Sequence, residues 1–196
     1  QVHSKGDREV RYERVAQALH RLTGAERPFI AVNCGALTET LLEAELFGYE
    51  KGAFTGALRD RDGAFVRADG GTLFLDELAE LPVDQQPLLL RVVENHLVRP
   101  LGDDRERRVD VRLVAATNRS EHLGTPRSPL RVDLYHRIAT VVVDLPPLRE
   151  RAGDVPILAS HFLDELAGEH GRRVIPRTAM RALSSYPWPG NVRELR

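Results

Sequence analysis

The feature that most constrains the fold is an alternation of short apolar runs with segments of helical periodicity. The apolar runs cover residues 28–32, 72–75, 111–116 and 140–143. Apolar residues recur at helical spacing over 15–22, 39–47 and 83–95, and again after 156 and after Pro176. Strand and helix signals in this order predict a parallel β-sheet covered by helices, which is an α/β fold.

Composition excludes several classes of function. The chain has 196 residues, of which 42% are apolar and 29% charged, so it can bury a core of its own. Its formal net charge of −1 gives no general attraction to DNA or to an anionic membrane. We therefore expect DNA contacts only through a domain absent from this chain. No apolar run approaches the roughly 18 residues of a membrane span, so no membrane partner is expected.

The single cysteine, Cys34, excludes an internal disulfide and favours a reducing compartment. We therefore expect a cytoplasmic location. A lone cysteine of this kind is most often a small core residue, and we assign it no role.

A proline-rich, charged connector over residues 144–156 interrupts the pattern. We expect a domain boundary there, with an α/β core over 1–148 and a small helical domain over 149–196. In the second part, Leu158, Phe162 and Leu166 are spaced to share one helical face. The helical domain is predicted to be incomplete, because the motif over 188–195 runs into the end of the chain.

Residues 52–57, Gly-Ala-Phe-Thr-Gly-Ala, place an aromatic ring and a hydroxyl between two glycines inside a polar stretch. A Phe buried in a turn is the commoner meaning of such a pattern. The polar surroundings favour the other interpretation, an exposed loop that contacts a partner. A second loop, over 99–107, has mixed charges and turn residues, which predicts a solvated hairpin.

Two adjacent acids, Asp76 and Glu77, follow the apolar run over 72–75. The carboxyl end of a strand is where open α/β sheets bind ligands. Phosphoryl transfer needs one carboxylate to hold Mg²⁺ and another group to orient the attacking water, and this pair supplies both. A helix-capping pair is the simpler alternative.

Together, residues 43–51, 52–57 and 70–77 resemble the central AAA+ domain of bacterial sigma-54-dependent transcription activators, the sigma-54 interaction domain. The resemblance implies an AAA+ α/β sheet with a C-terminal helical lid, and ATP and Mg²⁺ as cofactors. It also implies that a loop near 48–62 contacts the sigma-54 factor of RNA polymerase through Gly52, Ala53, Phe54, Thr55, Gly56 and Ala57. The subunits are expected to form a homo-oligomeric ring, a hexamer, and the loop over 99–107 is expected to move with the first loop.

The resemblance also implies roles for individual side chains. In the Walker B segment, Asp76 corresponds to the Mg²⁺ ligand and Glu77 to the base, and Asn33 corresponds to the partner that switches Glu77. Asn118 corresponds to sensor I and Arg193 to sensor II. Arg131 and Arg137 correspond to arginine fingers. From the residues alone, Asn118 is predicted to be an Asx cap, which is compatible with the sensor role, and a solvated helical face is the preferred interpretation of the two arginines.

The phosphate-binding loop departs from the family. A P-loop needs glycines whose N–H groups wrap the phosphates and a lysine that neutralises them. Here only Gly6 and Glu13 agree with the family, while Tyr12 stands at the lysine position and Arg11 and Glu9 at glycine positions. Tyr12 extends the apolar stripe of the first helix, so it is predicted to pack in the core.

Two hypotheses therefore remain from the sequence. In the first, the domain is a sigma-54-dependent regulator of the AAA+ ATPase type, which remodels RNA polymerase holoenzyme with impaired ATP binding. In the second, it is a pseudo-ATPase that acts as a regulatory interaction module. The degenerate Walker A loop favours the second, and the retained Walker B and arginine residues favour the first.

Overall fold

The structure, a computed structural model, describes residues 2–3, 12–119, 121–170 and 174–196. The strands are β1 Val2–His3, β2 Phe29–Asn33, β3 Gly48–Tyr49, β4 Arg61–Asp62, β5 Thr72–Asp76, β6 Leu97–Val98, β7 Arg107–Arg108, β8 Arg112–Thr117 and β9 Val143–Asp144. The helices are α1 Tyr12–Gly24, α2 Glu39–Phe47, α3 Ala64–Arg67, α4 Gln86–Asn95, α5 Val132–Ile138, α6 Asp154–His170, α7 Arg177–Ser185 and α8 Asn191–Leu195.

The main sheet has the strand order β2-β5-β8-β1-β9. The pairs β2–β5, β5–β8 and β8–β1 are all parallel. Two short antiparallel ribbons, β3–β4 and β6–β7, lie outside this sheet. The predicted α/β fold is therefore confirmed.

The central strand β5 explains why the sheet forms here. Its residues Thr72 to Leu75 are all buried, and Phe74 is only 1% exposed. A strand with parallel neighbours on both sides is buried on both faces, which favours a nearly continuous apolar run such as Leu73 to Leu75. Directly after this run the strand ends in an acid, Asp76.

Helix α1 packs differently from the prediction. The expected stripe included Leu22, which is 83% exposed, whereas the buried residues are Tyr12, Ala16 and His20. These are spaced by four residues and share one face. The histidine is tolerated inside because its Nδ1 forms a hydrogen bond of 3.0 Å with the hydroxyl of Thr72 on β5. A search for apolar residues alone misses such a position.

Other predicted elements shift at their ends. Helix α4 begins at Gln86 rather than at 83, with Pro87 in its first turn, where a missing N–H costs little. The predicted strand over 140–143 was wrong for its first three residues, because only Val143–Asp144 pairs with the sheet. The β6–β7 hairpin and the start of a helix after Pro176 are confirmed.

The described residues form two compact units, 2–3 with 12–143, and 144–196. The second unit contains α6, α7 and α8 around a small core formed by Leu148, Val155, Phe162, Trp188 and Val192. Of the three residues predicted to share one helical face, all lie on α6; Phe162 is buried, whereas Leu166 is 52% exposed. The side chain of Asn191 ties the unit together: its Oδ1 accepts the N–H groups of Leu148 and Val192.

Candidate functional site

The carboxyl ends of three neighbouring strands meet at one edge of the sheet. Asn33 of β2 is the register partner of Asp76 of β5, and the next N–H, of Cys34, donates to the carbonyl of Asp76 at 2.9 Å. On the other side of β5, strand β8 ends at the buried Thr117. Because parallel strands end together, the sheet collects these side chains at the edge where such folds bind ligands.

Asp76 is a half-buried carboxylate in a negative environment. The N–H of Glu77 donates to its Oδ1 at 2.9 Å. Burial raises the pKa of Asp76 above its ordinary value, the hydrogen bond from Glu77 opposes this, and the charges of Glu77 and Glu13 raise the pKa further. A divalent cation would relieve this excess of negative charge.

Among the described residues, no group of three or more His, Cys, Asp or Glu side chains has the arrangement that holds a metal. Asp76 alone would supply one carboxylate, and a Mg²⁺ site with one protein carboxylate takes its other ligands from nucleotide phosphates and water.

Glu77 adopts an unusual backbone conformation beside a glycine. Its φ is 52°, in the left-handed region that non-glycine residues rarely occupy. Its carboxylate lies over Gly35, where an added Cβ would come within 2.4 Å of Oε2. The N–H of Gly35 donates to Oδ1 of Asn33 at 2.8 Å. The same turn thus brings Asn33 and Glu77 together, and Gly35, which the sequence analysis missed, provides the space.

The start of α1 lies beside this edge. Tyr12 is 6% exposed, which confirms that it packs in the core. Glu13 is exposed, accepts a hydrogen bond from Gln17 at 3.0 Å, and is close enough to raise the pKa of Asp76. The predicted positions of Gly6, Glu9 and Arg11 lie outside the described residues.

The remaining predicted residues are more dispersed. Asn118 follows β8 and is exposed. The turn after β8 is capped by the neighbouring Thr117, whose hydroxyl accepts the N–H of Arg119 at 3.1 Å. Arg131 and Arg137 lie at the two ends of α5, on its exposed surface. Arg193 lies on α8, in the second unit.

Arg131 is held by a near neighbour in this subunit. Its Nε and Nη2 donate to the two carboxylate oxygens of Asp133, at 3.1 and 2.8 Å. This bidentate pair lowers the pKa of Asp133 to about 2. An arginine that reaches into another subunit has to exchange this partner first.

The loop over 52–57 is a compact turn between β3 and β4. Gly52 and Gly56 have φ of 87° and 102°, values that only glycine adopts readily, so the predicted hinges are there. The expectation that Phe54 is exposed was wrong in part, because it is half-buried with its ring centroid 4.9 Å from that of Tyr49, edge to face. Thr55 is exposed, and Ala57 is buried.

The β6–β7 hairpin is attached to this loop. The N–H of Glu50 donates to the carbonyl of Leu101 at 3.0 Å, and the N–H of Leu101 donates to the carbonyl of Gly48 at 2.9 Å. Two ion pairs add to these bonds: Arg105 with Glu50 at 3.2 Å and Arg107 with Asp62 at 2.7 Å. The two surface loops are therefore joined through both backbone and side chains.

Comparison with known families identifies both units. Residues 2–144 match the profile of the Sigma-54 interaction domain, and residues 149–196 match that of the AAA+ ATPase lid domain. The chain therefore belongs to the sigma-54 interaction domain family of AAA+ proteins. No helix in the described part of the chain is long and apolar enough to cross a membrane.

Several curated regulators are similar over almost the whole chain. It is 47% identical over 193 residues to the regulatory protein LuxO of Vibrio cholerae, covering 97% of this chain and 36% of LuxO. It is 48% identical over 185 residues to the Nif-specific regulatory protein of Azotobacter vinelandii, covering 93% of this chain and 35% of that protein. The chain thus spans little more than a third of these relatives.

A solved structure agrees with the fold. NtrX from Brucella abortus in complex with ATP has a TM-score of 0.86 and 33% sequence identity, over 100% of this chain and 43% of NtrX. The NtrX structure with ADP gives the same values. These neighbours were solved with nucleotides.

Proposed function

We propose that this chain is the AAA+ domain of a sigma-54-dependent transcription regulator, which engages the sigma-54 factor through residues 52–57 and remodels RNA polymerase holoenzyme in the cytoplasm. The observation that carries this proposal is the loop itself. It holds the exposed Thr55 and the half-buried Phe54 between two glycines with positive φ. Such a loop contributes little to the core and is free to serve a partner.

ATP and Mg²⁺ would bind at the strand-end site. Asp76 would hold the metal, Glu77 would orient the attacking water, Asn33 would control Glu77, and Asn118 would act as sensor I. When bound, Mg²⁺ neutralises charge that develops on the phosphates. The half-buried, negative surroundings of Asp76 and the placement of Glu77 beside Asn33 support these assignments.

The proposed active assembly is a homo-oligomeric ring, a hexamer, in which Arg131 and Arg137 act on the nucleotide of the neighbouring subunit. Their exposure at the two ends of α5 supports this role. Arginine suits it because its planar charge matches phosphate oxygens across an interface. Arg193 is proposed to report the nucleotide state to the lid.

A specific observation also favours the second candidate function, a pseudo-ATPase that regulates by binding. Tyr12 occupies the position of the P-loop lysine and is buried. A buried phenol supplies no positive charge to a phosphate, so ATP should bind weakly. The proposal therefore includes impaired nucleotide binding.

Calorimetric titration with Mg²⁺-ATP, together with a steady-state hydrolysis assay, separates the two candidates. Saturable binding with turnover supports the ATPase, and the absence of both supports the pseudo-ATPase. The combined change Glu9→Gly, Val10→Thr, Arg11→Gly and Tyr12→Lys restores the loop pattern and should restore turnover that rises steeply with protein concentration. If this variant is folded and still inactive, the site is defective beyond its P-loop, which contradicts the ATPase assignment.

A further inference from the structure

A buried glutamine amide joins three segments of the first unit. Gln86, the first residue of α4, is 0% exposed. Its Nε2 donates to the carbonyl of Leu81 at 3.0 Å and to that of Pro129 at 2.9 Å. Its Oε1 accepts the backbone N–H of Arg131 at 2.8 Å. Both amide donors and the carbonyl oxygen of this one side chain are therefore in use.

An amide is a costly choice for a core position, because each of its polar atoms has to find a partner there. An apolar side chain of similar length, such as that of methionine, fills the same space without this requirement. The three partners of Gln86 are backbone groups, two acceptors and one donor, and a primary amide serves all of them from one end. The residue is therefore explained by what its amide holds and not by the volume that it fills.

The amide fixes the backbone of Arg131, which stands directly before α5. Gln86 binds the N–H of Arg131, and the carbonyl of Arg131 accepts the N–H of Tyr135 at 3.0 Å in the first turn of the helix. The preceding residue, Leu130, is 1% exposed and anchors the segment in the core. The side chain of Arg131 is nevertheless 46% exposed. The backbone is thus held in place while the guanidinium stays at the surface, where it can exchange Asp133 for another partner.

The same amide also holds the turn that follows Glu77. This is a single 3₁₀ turn, Leu78–Glu80, in which the N–H of Glu80 donates to the carbonyl of Glu77 at 2.8 Å. Leu81 closes the turn, because its N–H donates to the carbonyl of Leu78 at 3.0 Å, and its own carbonyl is the one that Gln86 binds. One buried side chain therefore connects the turn after the proposed water-orienting residue with the segment that carries the proposed arginine finger.

We infer that Gln86 is a positioning residue for ATP hydrolysis, which sets the place of Arg131 relative to the strand-end site of its own subunit. Arg131 then presents its guanidinium to the nucleotide of the neighbouring subunit. The inference rests on the proposed function, because that proposal assigns Arg131 as an arginine finger. Such a group depends on placement, since a displacement of about 1 Å can cost about 100-fold in rate. Loss of the amide should therefore lower turnover and leave nucleotide affinity unchanged.

The first test is amide hydrogen exchange of the whole chain, followed at single residues by NMR, in the wild type and in Gln86→Met. Methionine keeps the length of the side chain and removes the amide, so exchange at the N–H of Arg131 should become about tenfold faster. Gln85→Met is the matched control and should leave this exchange rate unchanged. Gln85 is 1% exposed and its Nε2 also donates to a backbone carbonyl, that of Glu39 at 2.7 Å, but this bond leads to α2 instead of α5.

Gln86→Asn keeps the test valid if Gln86→Met does not fold. It retains a polar amide at the buried site, but its side chain is one methylene too short to reach the partners on both sides. Exchange at the N–H of Arg131 should therefore also become faster in this variant. Unchanged exchange in the folded variants would overturn the inference and leave the proposed function standing.

The second test is steady-state hydrolysis of Mg²⁺-ATP by the same variants and by Arg131→Ala. Gln86→Met should lower kcat at least about tenfold and leave KM within about twofold. Because Gln86 acts through Arg131, the double variant Gln86→Met, Arg131→Ala should be no slower than Arg131→Ala alone, whereas independent losses would multiply.

The outcomes of the hydrolysis assay separate the inference from the proposed function. Wild-type chain without turnover would contradict the ATPase assignment, and the finger role would fall with it. Wild-type turnover with an unaltered kcat in Gln86→Met would overturn the inference alone, even if exchange at Arg131 is faster. Multiplied losses in the double variant would also overturn it, because Gln86 would then support the fold and not the finger.

Discussion

Two regions of the first unit carry the proposed chemistry, and they are constructed in opposite ways. At the strand ends, Asp76 of β5 and Asn33 of β2 are fixed by the register between these two strands, and β5 is buried up to Leu75. In the paired surface loops, Thr55 is exposed, and the loop is held by turns, by short backbone bonds to the hairpin and by surface ion pairs. The first region is positioned by the core, whereas the second is held by interactions that individually cost little to break.

The proposed function would require this difference. Catalytic groups must hold their geometry to a fraction of an ångström, so they belong on rigid elements. A partner-contacting loop has to change position, so it belongs to the least stable part of the fold. If the contrast is real, equivalent substitutions in the two regions should have very different energetic effects.

The largest difference is expected between two phenylalanines. Phe74→Ala empties a position on β5 that is 1% exposed, and it should lower the free energy of unfolding by about 3–5 kcal/mol. Phe54→Ala removes a half-buried ring whose aromatic neighbour is Tyr49, and it should cost about 1 kcal/mol. Urea unfolding followed by circular dichroism measures both. Equal losses would mean that the loop is part of the core.

A smaller effect of opposite sign is expected at Asp76. Its raised pKa means that the charged form is disfavoured in the folded state, so the cost is absent at acid pH, grows as pH rises above the unfolded pKa and is complete above the folded pKa. Asp76→Asn removes this charge and should therefore raise the free energy of unfolding at neutral pH by about 1 kcal/mol, which is typical of substitutions that remove a destabilising group from a functional site. The gain should vanish at acid pH. It should also remove any Mg²⁺-dependent stabilisation by ATP. Thermal unfolding across a pH series provides the check; a loss of stability at pH 7 would contradict the account.

The smallest effect is expected at the ion pair between the loops. Arg107 and Asp62 are 2.7 Å apart with their side chains 44% and 57% exposed. Arg107→Gln should change the free energy of unfolding by less than about 0.5 kcal/mol, because solvent screens such a pair. Amide hydrogen exchange should nevertheless become faster in residues 48–62, as the two loops separate more often. Unchanged exchange would show that the backbone bonds alone join the loops.

The strand-end region could be predicted from the sequence in greater detail than the loop region. An apolar run that ends in two acids predicts a strand with Asp76 at its end, and the buried strand is present where it was predicted. The role proposed for Asp76 came from the family resemblance. The contact of Phe54 with Tyr49, the burial of His20 and the place of Gly35 under Glu77 all depend on residues that the fold brings together. Hydrophobic periodicity describes one segment at a time, so it does not predict contacts between segments that are distant in the sequence.

A cavity of about 480 Å³ beside the loop over 52–57 could not be predicted from the sequence either. Its lining comes from α2, α4 and the β6–β7 hairpin, and nothing in the local sequence joins them. Asp103 looked like one of several charges in a solvated turn, although its side chain is almost fully buried. Only the packing of the hairpin against the helices distinguishes it from its exposed neighbour Asp104.

The most direct test of the central claim is capture of sigma-54 factor by the chain and by Thr55→Ala, with and without Mg²⁺-ATP. Thr55 is exposed, so its loss should leave the circular dichroism spectrum and the unfolding midpoint unchanged. Thr178→Ala, an equally exposed threonine on α7, is the matched control. The wild type and Thr178→Ala are expected to capture sigma-54, whereas Thr55→Ala is expected not to. Normal capture by Thr55→Ala would contradict the assignment of this loop as the sigma contact.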